Sequence, residues 1–379
     1  MNNKQHLLVL DPTAFSGGSK IATESILRLL DLQKTRITVL SADPDSWQWA
    51  PLKRVRLYQP KWLAKKEQGI AYYLRHLFIA LNIIIARLRF GRFDLAVGAS
   101  GPGVDLALYL LKPLFALKVI QLIHGPVARS RSIAHSLLAA DQVYYLHSSR
   151  DSLLNSLSCR SAEPLTTLPA QFHIMHNGLS EQCWPTPCQY QHSALFWAAS
   201  LLKWKGLNTL LAALRSISAN ARPNTHICYI KPQDTQLPIS QLPNNLQHVY
   251  CYQRPQNLDQ IRASANIFVS TSENEPFGLS ILEALAAGQC VLLPADGAYW
   301  DLILEDKINC IKYAAGDSCD LKHKLLSVSN DIQQVRKIGE QARNVAGQYR
   351  AEQQYAQLKK CIEDNLQQAT HQSSSYAER

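Results

Sequence analysis

Short apolar runs alternate with stretches of helical periodicity along most of the 379 residues. His6–Asp11, Ile37–Ala42, Asp94–Ser100, Val119–Gly125 and Gln142–Ser148 read as strands. Lys20–Leu32, Ile70–Leu88 and Val104–Leu111 lie between them, with apolar residues at the three- and four-residue spacing of a helix with one covered face. This alternation predicts a parallel sheet with helices on both sides. A polar stretch, Ser180–His192, interrupts it and reads as a linker. The pattern then resumes, with strands expected at Ala194–Ser200, Thr225–Lys231, His248–Tyr252, Ala265–Thr271 and Cys290–Ala295. A last helical pattern, Asp331–Asn365, breaks near Gly347, and the polar residues 367–379 are expected to lack order.

The predicted fold class is therefore α/β: two Rossmann-like doubly wound domains facing a central cleft at their strand carboxyl ends. The expected divisions are residues 1–185, residues 190–350, and a helix with a polar tail at 351–379 that packs back towards the first domain. A composition of 46% hydrophobic and 18% charged residues suits packed cores and excludes a disordered chain. The polar start before the first strand does not read as a secretory signal, and no stretch approaches the roughly 20 apolar residues of a bilayer span. The nine scattered cysteines contain no C-x-x-C pair and read as reduced thiols, without a disulfide framework or zinc site. These readings point to a cytoplasmic protein.

Charge changes the picture in one place. Residues 53–92 hold ten Lys and Arg against the single acid Glu67, a local charge of +9 in a chain whose net charge is +10. Such a segment attracts an anionic membrane surface at about 1 kcal/mol per cation. No helix-turn-helix, finger or RNA-recognition signature supports nucleic acid as the partner. Leu74, Leu77, Phe78, Leu81, Ile84, Ile85 and Leu88 fall at helical spacing inside this segment, with Trp62 nearby. That pattern fits a helix buried over the sheet, and equally a basic helix dipping into an anionic leaflet.

The chemistry is concentrated in Ser270–Gly297. A strand ends at Thr271, a loop carries Glu273 and Glu275, and a helix begins near Pro276–Gly278 and stops at Gly288. A helix opening just beyond a strand end presents free N–H groups and a positive dipole end to a phosphate. Glu283 stands among Ile281, Leu282, Ala284 and Leu285, where a carboxylate needs strong hydrogen bonds, such as those of sugar or ribose hydroxyls. Upstream, Lys203 and Lys205 open another helix, where cations oppose the dipole unless an anion is bound. A diphosphate would reverse that balance.

Glu275-Pro276-Phe277-Gly278-Leu279 through Glu283 to Gly288 resembles the E-x₇-E signature of glycosyltransferase family 4, retaining enzymes of the GT-B fold and of bacterial surface-polysaccharide type. The resemblance implies that Glu275 contacts donor-sugar hydroxyls, that backbone N–H groups of Phe277–Leu279 hold phosphate and sugar, and that Glu283 binds the ribose. It makes Lys205 the phosphate-binding lysine of a strand-loop element ending in K-G. The arginine usual about five residues earlier is replaced by Ser200, leaving Lys203 as the second cation, without the bidentate grip of a guanidinium. Gly17 and Gly18, in Ala14–Lys20, resemble the family's G-G loop beside the reacting phosphate and acceptor. His124 matches a histidine set against the donor sugar, Ala99–Gly103 a loop lining the acceptor pocket, and Asn177-Gly178 an N-G element closing the first domain.

The resemblance thus implies a metal-independent hexosyltransferase with a nucleotide-diphosphate-sugar donor and a glycan or lipid-linked acceptor, acting in polysaccharide or lipopolysaccharide biosynthesis, peripheral on the inner face of the membrane. The first domain would bind the acceptor and the second the donor. No cofactor or metal beyond the nucleotide-sugar is expected. Asp43-Pro44-Asp45 is a D-x-D string of the kind that holds a divalent metal in another glycosyltransferase fold, but Asp and Pro here favour a turn. No carboxylate stands out as a nucleophile, in keeping with front-face attack assisted by the leaving phosphate. The alternative is a non-catalytic GT-B partner subunit of another glycosyltransferase, for which Ser200 is the hint of lost site residues.

Overall fold

The computed structural model describes all residues except 1–3, 15, 16, 44, 65, 162, 233–236, 378 and 379, and describes Lys61 and residues 370–377 by their backbone alone. The chain divides into two compact units, Met1–Gly178 with Gln354–Arg379, and Leu179–Gln353.

The first unit opens with β1 (Gln5–Asp11), α1 (Gly18–Arg28), β2 (Thr35–Ser41) and β3 (Lys53–Arg56). It continues with α2 (Lys61–Ala64), α3 (Gly69–Phe90), β4 (Leu95–Gly98) and α4 (Leu106–Phe115). Then come β5 (Lys118–Ile123), α5 (Arg131–Ala139), β6 (Gln142–Leu146), α6 (Arg150–Leu157) and β7 (Phe172–Met175). All seven strands are parallel, in the order β3-β2-β1-β4-β5-β6-β7. Strand order reverses between β1 and β4, so the loops leaving these two strands share a crevice where doubly wound sheets bind ligands.

The second unit repeats the plan with β8 (Ala194–Ser200), α7 (Leu207–Arg215), β9 (Asn224–Ile230), β10 (Val249–Gln253) and α8 (Leu258–Ala263). Next are β11 (Ile267–Val269), α9 (Leu279–Ala287), β12 (Cys290–Ala295), α10 (Tyr299–Ile303) and β13 (Ile311–Ala314). Helices α11 (Ser318–Ser329), α12 (Ile332–Ala346) and α13 (Ala351–Gln354) complete it. The parallel order β10-β9-β8-β11-β12-β13 puts the switch between β8 and β11.

The chain then returns to the first unit as α14 (Ala356–Ala377), which lies against β1 and β4. Leu358, Ile362, Leu366 and Ala369 are buried along one face of it. That stripe carries the helix on to Ala377, through residues whose polarity alone predicts no order. Three strands depart from the alternation. β3 is a charged edge strand, and β7 and β13 are four-residue strands at the far edges of their sheets.

α3 also departs from expectation. It is long and apolar enough, by length and composition, to cross a bilayer, where the sequence suggested no such stretch. Its apolar residues occupy two opposite faces. Tyr72, His76, Ile79, Ile83 and Ala86 are buried, several of them in the core of the first unit, while Leu77, Leu81, Ile85 and Leu88 are exposed. None of the nine cysteines is disulfide-bonded.

Candidate functional site

In the second unit the two loops that leave the switch-point strands are stapled together. The Thr271 hydroxyl donates to the Lys205 carbonyl at 3.0 Å, and the Glu273 N–H donates to the Trp204 carbonyl at 2.9 Å. Trp197 Nε1, from inside β8, donates to Thr271 Oγ1 at 3.0 Å. Gly206 is at φ +71°, and a Cβ there would stand 1.8 Å from the Thr271 carbonyl oxygen, so no other residue fits.

This stapling carries the Lys205 ammonium to 2.5 Å from Glu275 Oε2, with both side chains mostly covered. The Trp204 ring lies under the same ammonium at 4.0 Å. Gly278, at φ +79°, turns the chain into α9, whose first N–H groups have no acceptor within the helix. Phe277 is the anchor of that turn. Its buried ring packs 5.0 Å from Tyr299 and 5.3 Å from Trp300, and Tyr299 and Tyr349 join hydroxyls at 2.8 Å. Pro276 and Leu279 flank it, partly exposed. The far side of the loop is fixed by Asp296, which accepts from the Asn274 and Ala298 N–H groups.

Lys203 and Ser200 lie in the same loop region, and Lys203 is exposed with no carboxylate paired to it among the described residues. Glu283 is half-buried on α9, and its partner is Arg262 of α8, whose Nη2 donates to Oε2 at 2.6 Å. Arg262 is itself buried and also grips Asp259 at 2.9 Å. An ion pair therefore meets the need for strong hydrogen bonds read from the apolar neighbours of Glu283. Arg262 was not legible as a site residue. The one signal is a cation at the end of an apolar helix that leads straight into a buried strand.

The remaining predicted residues belong to the first unit. Gly17 is the extended residue before α1 and Gly18 opens the helix, while Phe15 and Ser16 of the same loop lie outside the described residues. Beside Gly17, α1 and the loop 45–50 border an open pocket of about 530 Å³, lined among others by Lys20, Glu24, Arg28, Trp47 and Trp49.

His124, at the end of β5, meets the second turn of α1: Nε2 is 3.3 Å from Thr23 Oγ1. Thr23 donates its own proton to the Ser19 carbonyl at 2.9 Å, so Nε2 carries a hydrogen and Nδ1 is the acceptor. Nδ1 is buried with no partner among the described residues, and burial holds the imidazole down to a pKa of about 4, neutral at physiological pH.

In the Asp43–Asp45 string the Asp45 N–H donates to Asp43 Oδ1 at 3.0 Å; Pro44 lies outside the described residues. Asp43 and Asp11 together hold the buried Lys20 ammonium, at 3.1 and 2.8 Å. Among the described residues no three of His, Cys, Asp and Glu are gathered as metal ligands.

The loop Ala99–Gly103 wraps a buried carboxyl. Asp105 Oδ2 accepts from the Ser100 and Gly101 N–H groups and from Gln121 Nε2, each at 2.9 Å, while Oδ1 has no partner among the described residues. Burial raises its pKa to about 8 despite these bonds, so the group is protonated at neutral pH. Asn177 and Gly178 close the first unit against Tyr355, whose hydroxyl donates to Asn177 Oδ1 at 3.3 Å and accepts from the Gly178 N–H at 3.1 Å.

Residues 192–345 match the family described as glycosyl transferases group 1. No curated protein sequence matches the chain. Among solved structures, HepE from Anabaena in complex with UDP and glucose aligns at a TM-score of 0.69 and 15% identity, over 95% of this chain and 100% of that one. Sucrose-phosphate synthase from Thermosynechococcus elongatus aligns at 0.67 and 15% identity, over 99% and 100%. WaaG, a glycosyltransferase involved in lipopolysaccharide biosynthesis, aligns at 0.64 and 14% identity, over 94% and 99%. The chain shares the GT-B fold of these structures, and the family match with that fold supports a glycosyltransferase.

Proposed function

We propose that the protein is a retaining, metal-independent glycosyltransferase of family 4 that takes a hexosyl group from a nucleotide-diphosphate sugar. The observation that carries the reading is the Lys205–Glu275 pair at the β8/β11 switch point, beside the open start of α9. A cation and a row of free N–H groups suit a diphosphate leaving group, and an adjacent carboxylate suits sugar hydroxyls. HepE, solved with UDP and with UDP-glucose, supports a nucleotide-sugar as the class of donor.

In this reading Lys205 and the N–H groups of Phe277–Leu279 stabilise the departing diphosphate, with Lys203 as a second, exposed cation. Glu275 turns from Lys205 to the sugar hydroxyls once phosphate takes the ammonium. Glu283, oriented by Arg262, binds the ribose. His124 serves as a neutral acceptor through Nδ1, and not as an acid. Gly17 and Gly18 border the acceptor, whose place is the open pocket beside α1. The bond from the anomeric carbon to phosphate oxygen breaks as the acceptor oxygen attacks from the same face, and the acceptor proton passes to the leaving phosphate. The acceptor is a glycan or lipid-linked hydroxyl, in polysaccharide or lipopolysaccharide assembly on the cytoplasmic side.

The test is thermal stability of the purified protein against uridine, guanosine and adenosine diphosphate sugars with chelator present, alongside Glu283→Ala. A ligand at a hundredfold excess over its dissociation constant stabilises the native state by about 2.7 kcal/mol. A shift with one nucleotide class, lost in the variant, is expected. A shift that needs added metal would overturn the metal-independent reading, and no shift with any donor would favour a non-catalytic partner subunit.

A further inference from the structure

The outer face of α3 is apolar and uncovered along its whole length. Ile70 and Leu88 are each 82% exposed, Leu77 57% and Ile85 54%, and they follow one another at helical spacing on the side opposite the buried face. The flanking surface is basic and placed there by contact. The Lys53 ammonium of β3 lies 5.7 Å from the Phe90 ring at the end of α3. The Arg56 guanidinium stacks 5.4 Å over Tyr58, whose backbone is clasped by Asn82 of α3 through bonds of 3.0 and 2.8 Å. Lys53, Arg56 and Arg89 are exposed and pair with no carboxylate among the described residues. Trp62, 63% exposed, stands in the helix just before α3.

We infer that this face docks the protein on an anionic lipid surface, with the side chains of α3 entering the acyl boundary and the cations of β3 and the α3 carboxyl end meeting the headgroups. A helix lying in the interface needs this combination, an apolar stripe with cations beside it and amphipathic aromatics at its margin. Charge argues against a second copy as the occupant, because like surfaces would bring the same positive excess together. The buried face of α3 argues against a bilayer span, since Arg75 and His76 sit inside the first unit. The inference is independent of the donor reading, although a lipid-linked acceptor would suit it.

The experiment is flotation of the full chain with vesicles of phosphatidylcholine alone or mixed with phosphatidylglycerol, at low and high salt. Binding is expected to the mixed vesicles, weakened by salt. Removing cations with Lys53→Gln and Arg56→Gln should weaken it by about fivefold each. The triple change Leu77→Gln, Ile85→Gln, Leu88→Gln should weaken it by roughly tenfold or more. All five side chains are exposed, so unchanged circular dichroism and donor-induced thermal shift serve as folding controls. The inference is overturned by equal binding to both vesicle types, by no binding to either, or by binding that the triple change leaves intact. It is also overturned if the triple change abolishes self-association while vesicles are not bound.

Discussion

Lys205 and Glu275 stand 70 residues apart in sequence and 2.5 Å apart in space, joined because Thr271 and Glu273 hold the first loop's backbone against the second. Each is the other's counter-ion, and on the proposed reading a phosphate takes the ammonium from Glu275. Lys205→Met should lower turnover by about 10²–10³-fold, the usual effect of removing one donor from a developing anion. Glu275→Gln should reduce transfer while sparing nucleoside diphosphate binding. Steady-state kinetics beside calorimetry with the diphosphate alone separates the two effects, and equal losses in both assays would contradict the division of roles.

Arg262 and Glu283 form the second pair, with a guanidinium only 5% exposed as a residue. Arg262→Met leaves a half-buried carboxylate without its partner and should cost about 3–5 kcal/mol in denaturant unfolding. Arg262→Lys should recover part of this, because an ammonium cannot hold Asp259 and Glu283 with the same fork. If Arg262→Met unfolds at the same denaturant concentration as the parent, the pair is not structural.

Gly206 and Gly347 give a paired backbone test. Gly206→Ala drives a methyl into the Thr271 carbonyl at a positive φ and should destabilise by about 3 kcal/mol or more. Gly347 has helical angles and nothing within 4 Å of an added methyl, so Gly347→Ala should stabilise by about 0.4–1 kcal/mol. Melting temperatures of the two variants should move in opposite directions.

Buried histidines set an acid limit on stability, His6 and His76 together with His124. Burial, and for each a neighbouring arginine, hold His6 and His76 down to pKa values of about 4, below the 6.5 of an exposed histidine. Between those values the unfolded chain binds more protons, so stability falls as pH falls. The slope is about 1.4 kcal/mol per pH unit for each residue. His6→Gln and His76→Gln should make the melting curve shallower between pH 6.5 and 4, leaving the contribution of His124. A wild-type melting temperature unchanged over that range would contradict the assignment.

Asp105 has the opposite sign. Its pKa is raised by burial to about 8, so from pH 3.8 to 8 the folded state holds the extra proton and stability falls as pH rises. Asp105→Asn keeps an acceptor for the Ser100, Gly101 and Gln121 donors and removes the titration. Its stability relative to the parent should grow by about 1.4 kcal/mol per pH unit up to pH 8. A constant difference between pH 5 and 8 would show that Asp105 is ionised throughout.

The ladder of strands and helices was legible because buried parallel strands are continuous apolar runs. β3 was not, because an edge strand with sequence KRVR looks like surface. The motif loops were legible at Glu275, Gly278 and Lys205, where glycine and charge interrupt apolar sequence. Their joining through Thr271 was not, since that bond depends on how two loops are registered across β8 and β11. Sequence spacing left the inner and outer faces of α3 unresolved, and the structure buries one stripe of the helix and exposes the opposite one. For Glu283 the residues implied a need for hydrogen bonds without naming the donor, and Arg262 is 21 residues away on another helix.

The return of α14 to the first unit bears on synthesis. Lys118 reaches Asn365 at 3.1 Å and Gln368 at 2.8 Å, and Tyr355 closes on Asn177 and Gly178. The first unit is therefore begun early on the ribosome and finished late, after every residue of Leu179–Gln353 has emerged. The second unit is one uninterrupted segment and can complete its fold while the first still waits for its last helix. During that interval the part of the first sheet that α14 will cover is open to solvent.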